Sequence, residues 1–420
     1  MTTPLPAPST SRRARALRVV PLLGPALVAG VAYLDPGNVA SNMTAGAQFG
    51  YLLVWVVVVG NLVAWVVQYL SAKLGLATGK SLTQILGERI TNKWLRRGFW
   101  VQAEIVAMAT DLAEVVGGAI AFNLLFGFPL LAGGMVMGLL SLLLLSLRDR
   151  SGAKAFERII IGLLLVIAVG FGMGLVVAPP DPGSLLGGLM PRFDGAASIL
   201  LAASILGATI MPHAIYAHSA LTRDRFGLVL AGVERGKILK ATRVDVTVAL
   251  VIAGGVNLAI LLTAAVSLQG VPDTNTLEGV YAALSANLGP VIAVLFAVGL
   301  LASGLASTSV GAYAGAEIMS GLTDIQIPLL WRRVITLIPA FIILSMGADP
   351  TWALILSQVV LSFGIPFALI PLVIFTRDKS ILGVDINSGV TTALAILASV
   401  FIIGLNAVLL WITFASSYET

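Results

Sequence analysis

Eleven apolar stretches, each about as long as a helix needs to be to cross a bilayer, constrain this chain more than any other feature. They run approximately over 19–46, 51–74, 100–125, 128–147, 157–178, 195–221, 244–268, 288–314, 330–347, 351–375 and 389–414. Of the 420 residues, 58% are hydrophobic and only 11% charged, whereas an ordinary soluble domain carries about 25% charged residues. Such a chain cannot cover itself with a hydrated surface. The expected fold class is an all-α polytopic membrane protein, because a helix in lipid satisfies its own backbone. The connections are too short for a separate soluble domain. No cysteine is present, which excludes disulfides, thiol catalysis, Fe–S clusters and Cys-based zinc sites.

The basic residues orient the spans. Arg12, Arg13, Arg15 and Arg18 precede the first. Lys73 to Arg97 surround the loop from the second to the third, Arg148 to Arg158 the next but one, and Arg223 to Arg243 the loop after the sixth. Arg332 and Arg333 precede the ninth span; Arg377 and Lys379 follow the tenth. Every Lys and Arg except Arg192 therefore falls on alternate loops. By the positive-inside rule the N-terminus, a tail over 1–18, is cytoplasmic and the C-terminus lies outside a cell membrane. The net charge of +5 is thus topological and gives no reason to expect a nucleic-acid partner. Ser11-Arg12-Arg13 faintly matches a twin-arginine signal, but no cleavage site follows it. Gly75-Leu76-Ala77-Thr78-Gly79-Lys80-Ser81 imitates a phosphate-binding loop, with Leu74 where the first glycine belongs and a membrane helix before it instead of a strand. No nucleotide site is expected.

Two spans are interrupted at mid-depth. The first contains Ala32-Tyr33-Leu34-Asp35-Pro36-Gly37-Asn38, the sixth Gly207-Ala208-Thr209-Ile210-Met211-Pro212-His213. A carboxylate beside two helix breakers makes sense if the helix unwinds to present oxygens to an ion. Broken helices at matching positions imply two five-helix repeats, 19–178 and 195–375, the second inverted because five is odd, with 389–414 as an eleventh helix. That arrangement points to a transporter site and away from an enzyme, for which the chain offers no nucleophile–base pair. Asp35 and Asn38 supply oxygens, Met211 a thioether, and unwound Ala32 and Ala208 carbonyls. Hard cations want oxygen alone, so this mixture suits a divalent first-row transition metal, bound and then released.

Glu104, Asp111 and Glu114 in the third span share one face, within about 80° around the helix. They form either a proton relay or ion pairs, and Arg332 and Arg333 are candidate partners. His213 is the better placed of the two histidines to tune protonation; His218 reads equally well in that role or as a hydrogen-bonded packing residue. Ser303 to Ser309 is a small-residue stretch suited to close packing.

The pair Asp35-Pro36-Gly37-Asn38 and Met211-Pro212-His213 resembles the signature of the Nramp family, the natural resistance-associated macrophage proteins and their bacterial manganese-transporting relatives. The resemblance spans essentially the whole chain. It includes Ala109-Thr110-Asp111-Leu112-Ala113-Glu114 and Ser357-Gln358-Val359-Val360-Leu361-Ser362-Phe363-Gly364-Ile365-Pro366-Phe367. It implies a LeuT-like fold and proton-coupled uptake of Mn²⁺ or Fe²⁺ as substrate, without a resident cofactor. It also implies metal ligation by Asp35, Asn38 and Met211 side chains and by Ala32 and Ala208 carbonyls, with Gln358 approaching the metal when the site is occluded. By the same resemblance Asp111 takes the proton from Asp35, and the Glu104/Arg333 region carries it inward. A sodium-coupled organic-solute symporter of the same fold is the alternative, but it would keep a half-helix N-terminus bare of carboxylate, and Asp35 argues against that.

Overall fold

The computed structural model describes residues 24–151, 153–323 and 329–416. The expected N-terminal tail, with its four arginines, and the first residues of the first span lie outside the described residues. So do the side chains of Arg148, Arg150 and Lys154. Among the described residues the ordered elements are helices. In chain order they are α1 (Pro25–Val31), a 3₁₀ turn (Ala32–Leu34), α2 (Pro36–Phe49), α3 (Val54–Thr78), α4 (Leu82–Arg89), α5 (Lys93–Phe126), α6 (Leu130–Ser151) and α7 (Ala153–Val177). The second half runs α8 (Pro182–Gly187), α9 (Gly195–Thr209), α10 (Pro212–Phe226), α11 (Val233–Ser267), α12 (Leu277–Leu288), α13 (Pro290–Thr323), α14 (Leu329–Ser345) and α15 (Pro350–Arg377). After the short α16 (Lys379–Leu382) comes α17 (Gly389–Ser416).

Thirteen of these helices match the eleven apolar stretches, with the first and sixth each split in two, while α4, α8, α12 and α16 lie in the connections. Several run further than hydropathy suggested. α5 begins at Lys93 instead of 100, α11 at Val233 instead of 244, and α13 continues to Thr323 instead of 314. Hydropathy detects where apolar residues stop, while a helix continues for as long as its backbone is satisfied. Asn92, for example, caps α5 by accepting from Trp94 N (2.9 Å) and Leu95 N (3.3 Å). All three overhangs lie at the basic end of the bundle.

α5 is the central post, packed against α6, α13, α14 and α15. α7 and α17 are peripheral and show large apolar side chains such as Leu165, Val169, Leu397 and Val400 outward, a surface that suits lipid. The small-residue stretch in α13 does what its composition suggested. A Cβ on Gly304 would lie 3.2 Å from the Glu114 carbonyl oxygen, and one on Gly311 3.0 Å from the Glu114 carboxylate. A methyl group at either place would need its neighbours to give by a few tenths of an ångström, so the two helices are in close contact here. At the basic end Arg223 of α10 donates to both carboxylate oxygens of Glu317 on α13, at 3.1 and 2.8 Å, which fixes the end of the second broken helix to the post's neighbour.

Candidate functional site

The first break is confined to four residues. Ala32–Leu34 turn as a 3₁₀ helix, and Asp35 is extended (φ −67°, ψ 161°) as the N-cap of α2, with Pro36 in the first helical position. Gly37 and Asn38, expected to be part of the unwound segment, are already helical. Asp35 Oδ1 accepts from Asn38 N at 2.9 Å, so the carboxylate sits where the helix end favours negative charge. Three α2 and α11 carboxamides then organise the neighbourhood. Asn38 Nδ2 and Asn257 Nδ2 both donate to the Tyr33 carbonyl, the latter at 3.0 Å, and Asn42 Nδ2 donates to Asn38 Oδ1 at 2.6 Å. The Leu34 carbonyl accepts from Ser303 Oγ of α13. Pro36 has no N–H to offer the carbonyl four residues earlier, that of Ala32.

The second break repeats that logic. α9 ends at Thr209, Ile210 and Met211 leave the helical region, and Pro212 starts α10. Four residues before Pro212 stands Ala208, whose carbonyl likewise loses its helical donor. Met211 and Ala208 are fully buried.

α15 lies against both breaks through Gln358. Its Nε2 donates to Asp35 Oδ2 at 2.8 Å, while its Oε1 is buried with no hydrogen-bond partner. Two glycines make that approach possible. A Cβ on Gly37 would be 1.8 Å from Gln358 Nε2, and a Cβ on Gly207 1.9 Å from the Gln358 carbonyl oxygen. Gly37 is therefore a space-maker and not the source of flexibility that its place beside a proline suggested. Ala32, Asp35, Asn38, Ala208, Met211 and Gln358 are all fully buried, so the arrangement is closed toward both ends of the bundle. Among the described residues no cluster of three or more His, Asp or Glu could hold a metal. The polar groups gathered here are one carboxylate, carboxamides, carbonyls that lie four residues before a proline, and one thioether.

A second polar seam lies one helix away, on α5. Its three carboxylates share a face and meet the two arginines of α14. Glu104 pairs with Arg332 at 2.8 Å, not with Arg333. Arg333 instead takes Asp111 and, at 3.1 Å, Glu114, and donates to Ser141 Oγ at 3.3 Å. Arg333 and both its carboxylates are buried. The fork geometry explains the choice, since one guanidinium can hold two carboxylates a helical turn apart. His213 Nδ1 is 3.2 Å from Thr110 Oγ1, next to Asp111 in the chain. The seam abuts the first break: a Cβ on Gly117 of α5 would collide with Pro36 at 2.0 Å. His218 packs with Gln68, Nδ1 to Oε1 at 2.7 Å.

Sequence reasoning missed Asp245, Asn42, Asn257 and Asn406, all buried. The available signal was simple: a polar or ionisable residue inside or at the edge of an apolar span is rarely idle.

Comparison with known proteins agrees with this architecture. The family model described as "Natural resistance-associated macrophage protein-like" matches residues 26–412. A protein of Mycobacterium tuberculosis (strain ATCC 25618 / H37Rv) named divalent metal cation transporter MntH is 57% identical over 392 residues, 93% of this chain and 91% of its own length. A protein of the same name from Bacillus subtilis (strain 168) is 44% identical over 398 residues, 94% of this chain and 93% of its own. Among solved structures, the Eremococcus coleocola manganese transporter superimposes with a TM-score of 0.82 at 29% identity, covering 97% of this chain and 88% of that one. The nucleobase-cation-symport-1 family transporter Mhp1 shares the fold at a TM-score of 0.58 and 14% identity.

Proposed function

Because the chain belongs to the natural resistance-associated macrophage protein family, we propose that it imports divalent transition-metal ions, Mn²⁺ foremost and Fe²⁺ also, together with protons, by alternating access. It is a multi-pass membrane transporter of divalent metal cations and not an enzyme. Asp35, Asn38 and Met211 side chains and the Ala32 and Ala208 carbonyls hold the metal. One observation carries this: prolines at equivalent places in two opposed helices strip Ala32 and Ala208 of their donors, while Gln358 closes onto Asp35 between them.

A divalent ion beside Asp35 favours its ionised form and drives off a proton held there. Gln358 then turns its amide, giving up the bond to Asp35 and presenting Oε1 to the cation. The thioether of Met211 favours softer transition metals over Ca²⁺ and Mg²⁺. Asp111, Glu114 and His213 receive the proton, and Glu104 with Arg332 and Arg333 continues its route. With the basic loops in the cytoplasm of a cell whose interior is negative, each charge moved inward gains about 2.3 kcal/mol per 100 mV. Only a bilayer, the metal and protons are needed as partners.

The test is Mn²⁺ uptake into proteoliposomes carrying an internal pH dye. Saturable uptake with acidification of the lumen, lost in Asp35→Ala, is expected. In Met211→Ala, Ca²⁺ and Mg²⁺ should compete where they do not in the parent. Absence of Mn²⁺ flux under any gradient defeats the proposal.

A further inference from the structure

A third proline–carbonyl pair lies in α15 itself. Pro366 is inside that helix and offers no N–H to the carbonyl four residues earlier, Ser362. Here the carbonyl has a donor from another helix. Asn406 Nδ2 of α17 donates to Ser362 O at 3.0 Å, and Ser362 Oγ donates to Asn406 Oδ1 at 2.8 Å. Both residues are buried. A carboxamide in a largely apolar helix thus directs one donor and its acceptor at a single residue.

Ser362 stands one helical turn beyond Gln358, and its N–H is the helical partner of the Gln358 carbonyl. Gly207 of α9 closes on those same atoms: a Cβ there would be 1.9 Å from Gln358 O and 2.9 Å from Ser362 N. In the next turn a Cβ on Gly364 would sit 3.1 Å from Pro212 Cγ. The turn that bears Gln358 is gripped by the second break on one side and by α17 on the other. α17 is also the helix that the two repeats leave over, so its presence is not explained by the repeat.

We propose that Asn406 is a positioning residue for the transport site: it replaces the hydrogen bond that Pro366 removes from α15 and so fixes the turn that aims Gln358 at Asp35. Proline inside a helix ordinarily permits a kink, because the orphaned carbonyl tilts away. In lipid-buried surroundings that carbonyl must find a partner or remain unpaired. With Asn406 in place the turn stays closed and the Gln358 amide keeps its place against the carboxylate. Without it α15 bends at 362–366, and Gln358 loses its register with Asp35.

The inference rests on the metal-transport function proposed above, so the experiment separates the two. Mn²⁺ uptake by the parent in proteoliposomes is measured first; its absence defeats the function. Given uptake, Asn406→Leu, which keeps volume and removes both bonds, is expected to raise the apparent KM for Mn²⁺ about tenfold with the maximal rate within about twofold. Pro366→Ala restores a backbone N–H to Ser362, so Asn406→Leu/Pro366→Ala should return KM to within about twofold of Pro366→Ala alone. Ser362→Ala removes only the hydroxyl contact and should change KM less than threefold. Thermal unfolding of each variant is followed in parallel. An unchanged KM in Asn406→Leu, or a double variant as impaired as Asn406→Leu, overturns the proposal. So does Ser362→Ala as damaging as Asn406→Leu, because the hydroxyl and not the carbonyl would then matter. If Asn406→Leu does not fold, Asn406→Ala takes its place, with the same rescue by Pro366→Ala required.

Discussion

Gly37 and Gly207 face the same glutamine and yet differ in what a methyl group would cost. At Gly37 the obstacle is Gln358 Nε2, 1.8 Å from the Cβ position, the far end of a flexible side chain. The amide can swing aside, but it then abandons Asp35. Gly37→Ala is expected to fold nearly as the parent, with a melting temperature within a few degrees, and to bind Mn²⁺ several-fold more weakly by calorimetry. At Gly207 the obstacle is the Gln358 carbonyl oxygen at 1.9 Å, with Ser362 N at 2.9 Å. Backbone cannot step aside without moving α15. Overpacking of this kind costs about 1–3 kcal/mol or more, so Gly207→Ala should show a clear drop in thermal stability together with lost uptake. Equal stability for the two variants would mean that α15 is not held against the second break as described. Neither role was legible in the chain. A glycine beside a proline invites an argument from backbone freedom, and only the position of a residue more than 300 places away turns it into an argument from space.

Among the elements, α1 has one specific anchor at its N-terminal end. The described part of the chain begins at Gly24, and the N–H groups of Gly24 and Ala26 both donate to Asp245 Oδ2 on α11 at 3.0 Å. A buried carboxylate at a helix N-terminus satisfies orphan donors and the helix dipole together. If alternating access swings this half-helix away from α11, Asp245 holds it closed. Asp245→Leu leaves two N–H groups without their acceptor, a loss of about 1–3 kcal/mol, and should favour the open position. The chain has no cysteine, so one introduced at Val28, which is buried, reports directly. Its alkylation in the Asp245→Leu background should proceed at least about tenfold faster than with Asp245 present, and equal rates would exclude the latch. The elements themselves were largely readable, because apolar length and proline placement determine where helices run and break. Their overhangs were not, since polar residues such as Asn92 extend a helix by capping, which hydropathy does not see. Asp245 fell at the edge of its span and was passed over for the same reason.

Over the whole molecule, two polar systems run side by side through an otherwise apolar bundle. One joins Asp35, Gln358 and the two breaks; the other joins Asp111, Glu114 and Arg333 on α5 and α14, with Pro36 and Gly117 in contact between them. The chain announced the residues of both, because ionisable groups in apolar spans stand out. It did not announce the pairing, because two adjacent arginines on one helix point to different places, and only packing assigned Glu104 to Arg332 and left Arg333 for the deeper two carboxylates. If metal follows the first system and protons the second, the two should be separable. Arg333→Ala leaves two buried carboxylates without their partner, and removing one member of such a network costs about 3–5 kcal/mol; a lower melting temperature is expected and is not by itself informative. Arg333→Lys is the sharper test. It keeps the charge and so most of the stability, but a single ammonium cannot reproduce the fork that reaches both carboxylates. Its Mn²⁺ affinity by calorimetry should stay within about threefold of the parent, since no atom of Arg333 bonds to Asp35, Asn38, Met211 or Gln358. Its ratio of protons to Mn²⁺ in dye-loaded proteoliposomes should fall by half or more. A fall in affinity and proton ratio together would mean that the seam and the break act as one site, and an unchanged ratio would take the proton route away from Arg333 altogether.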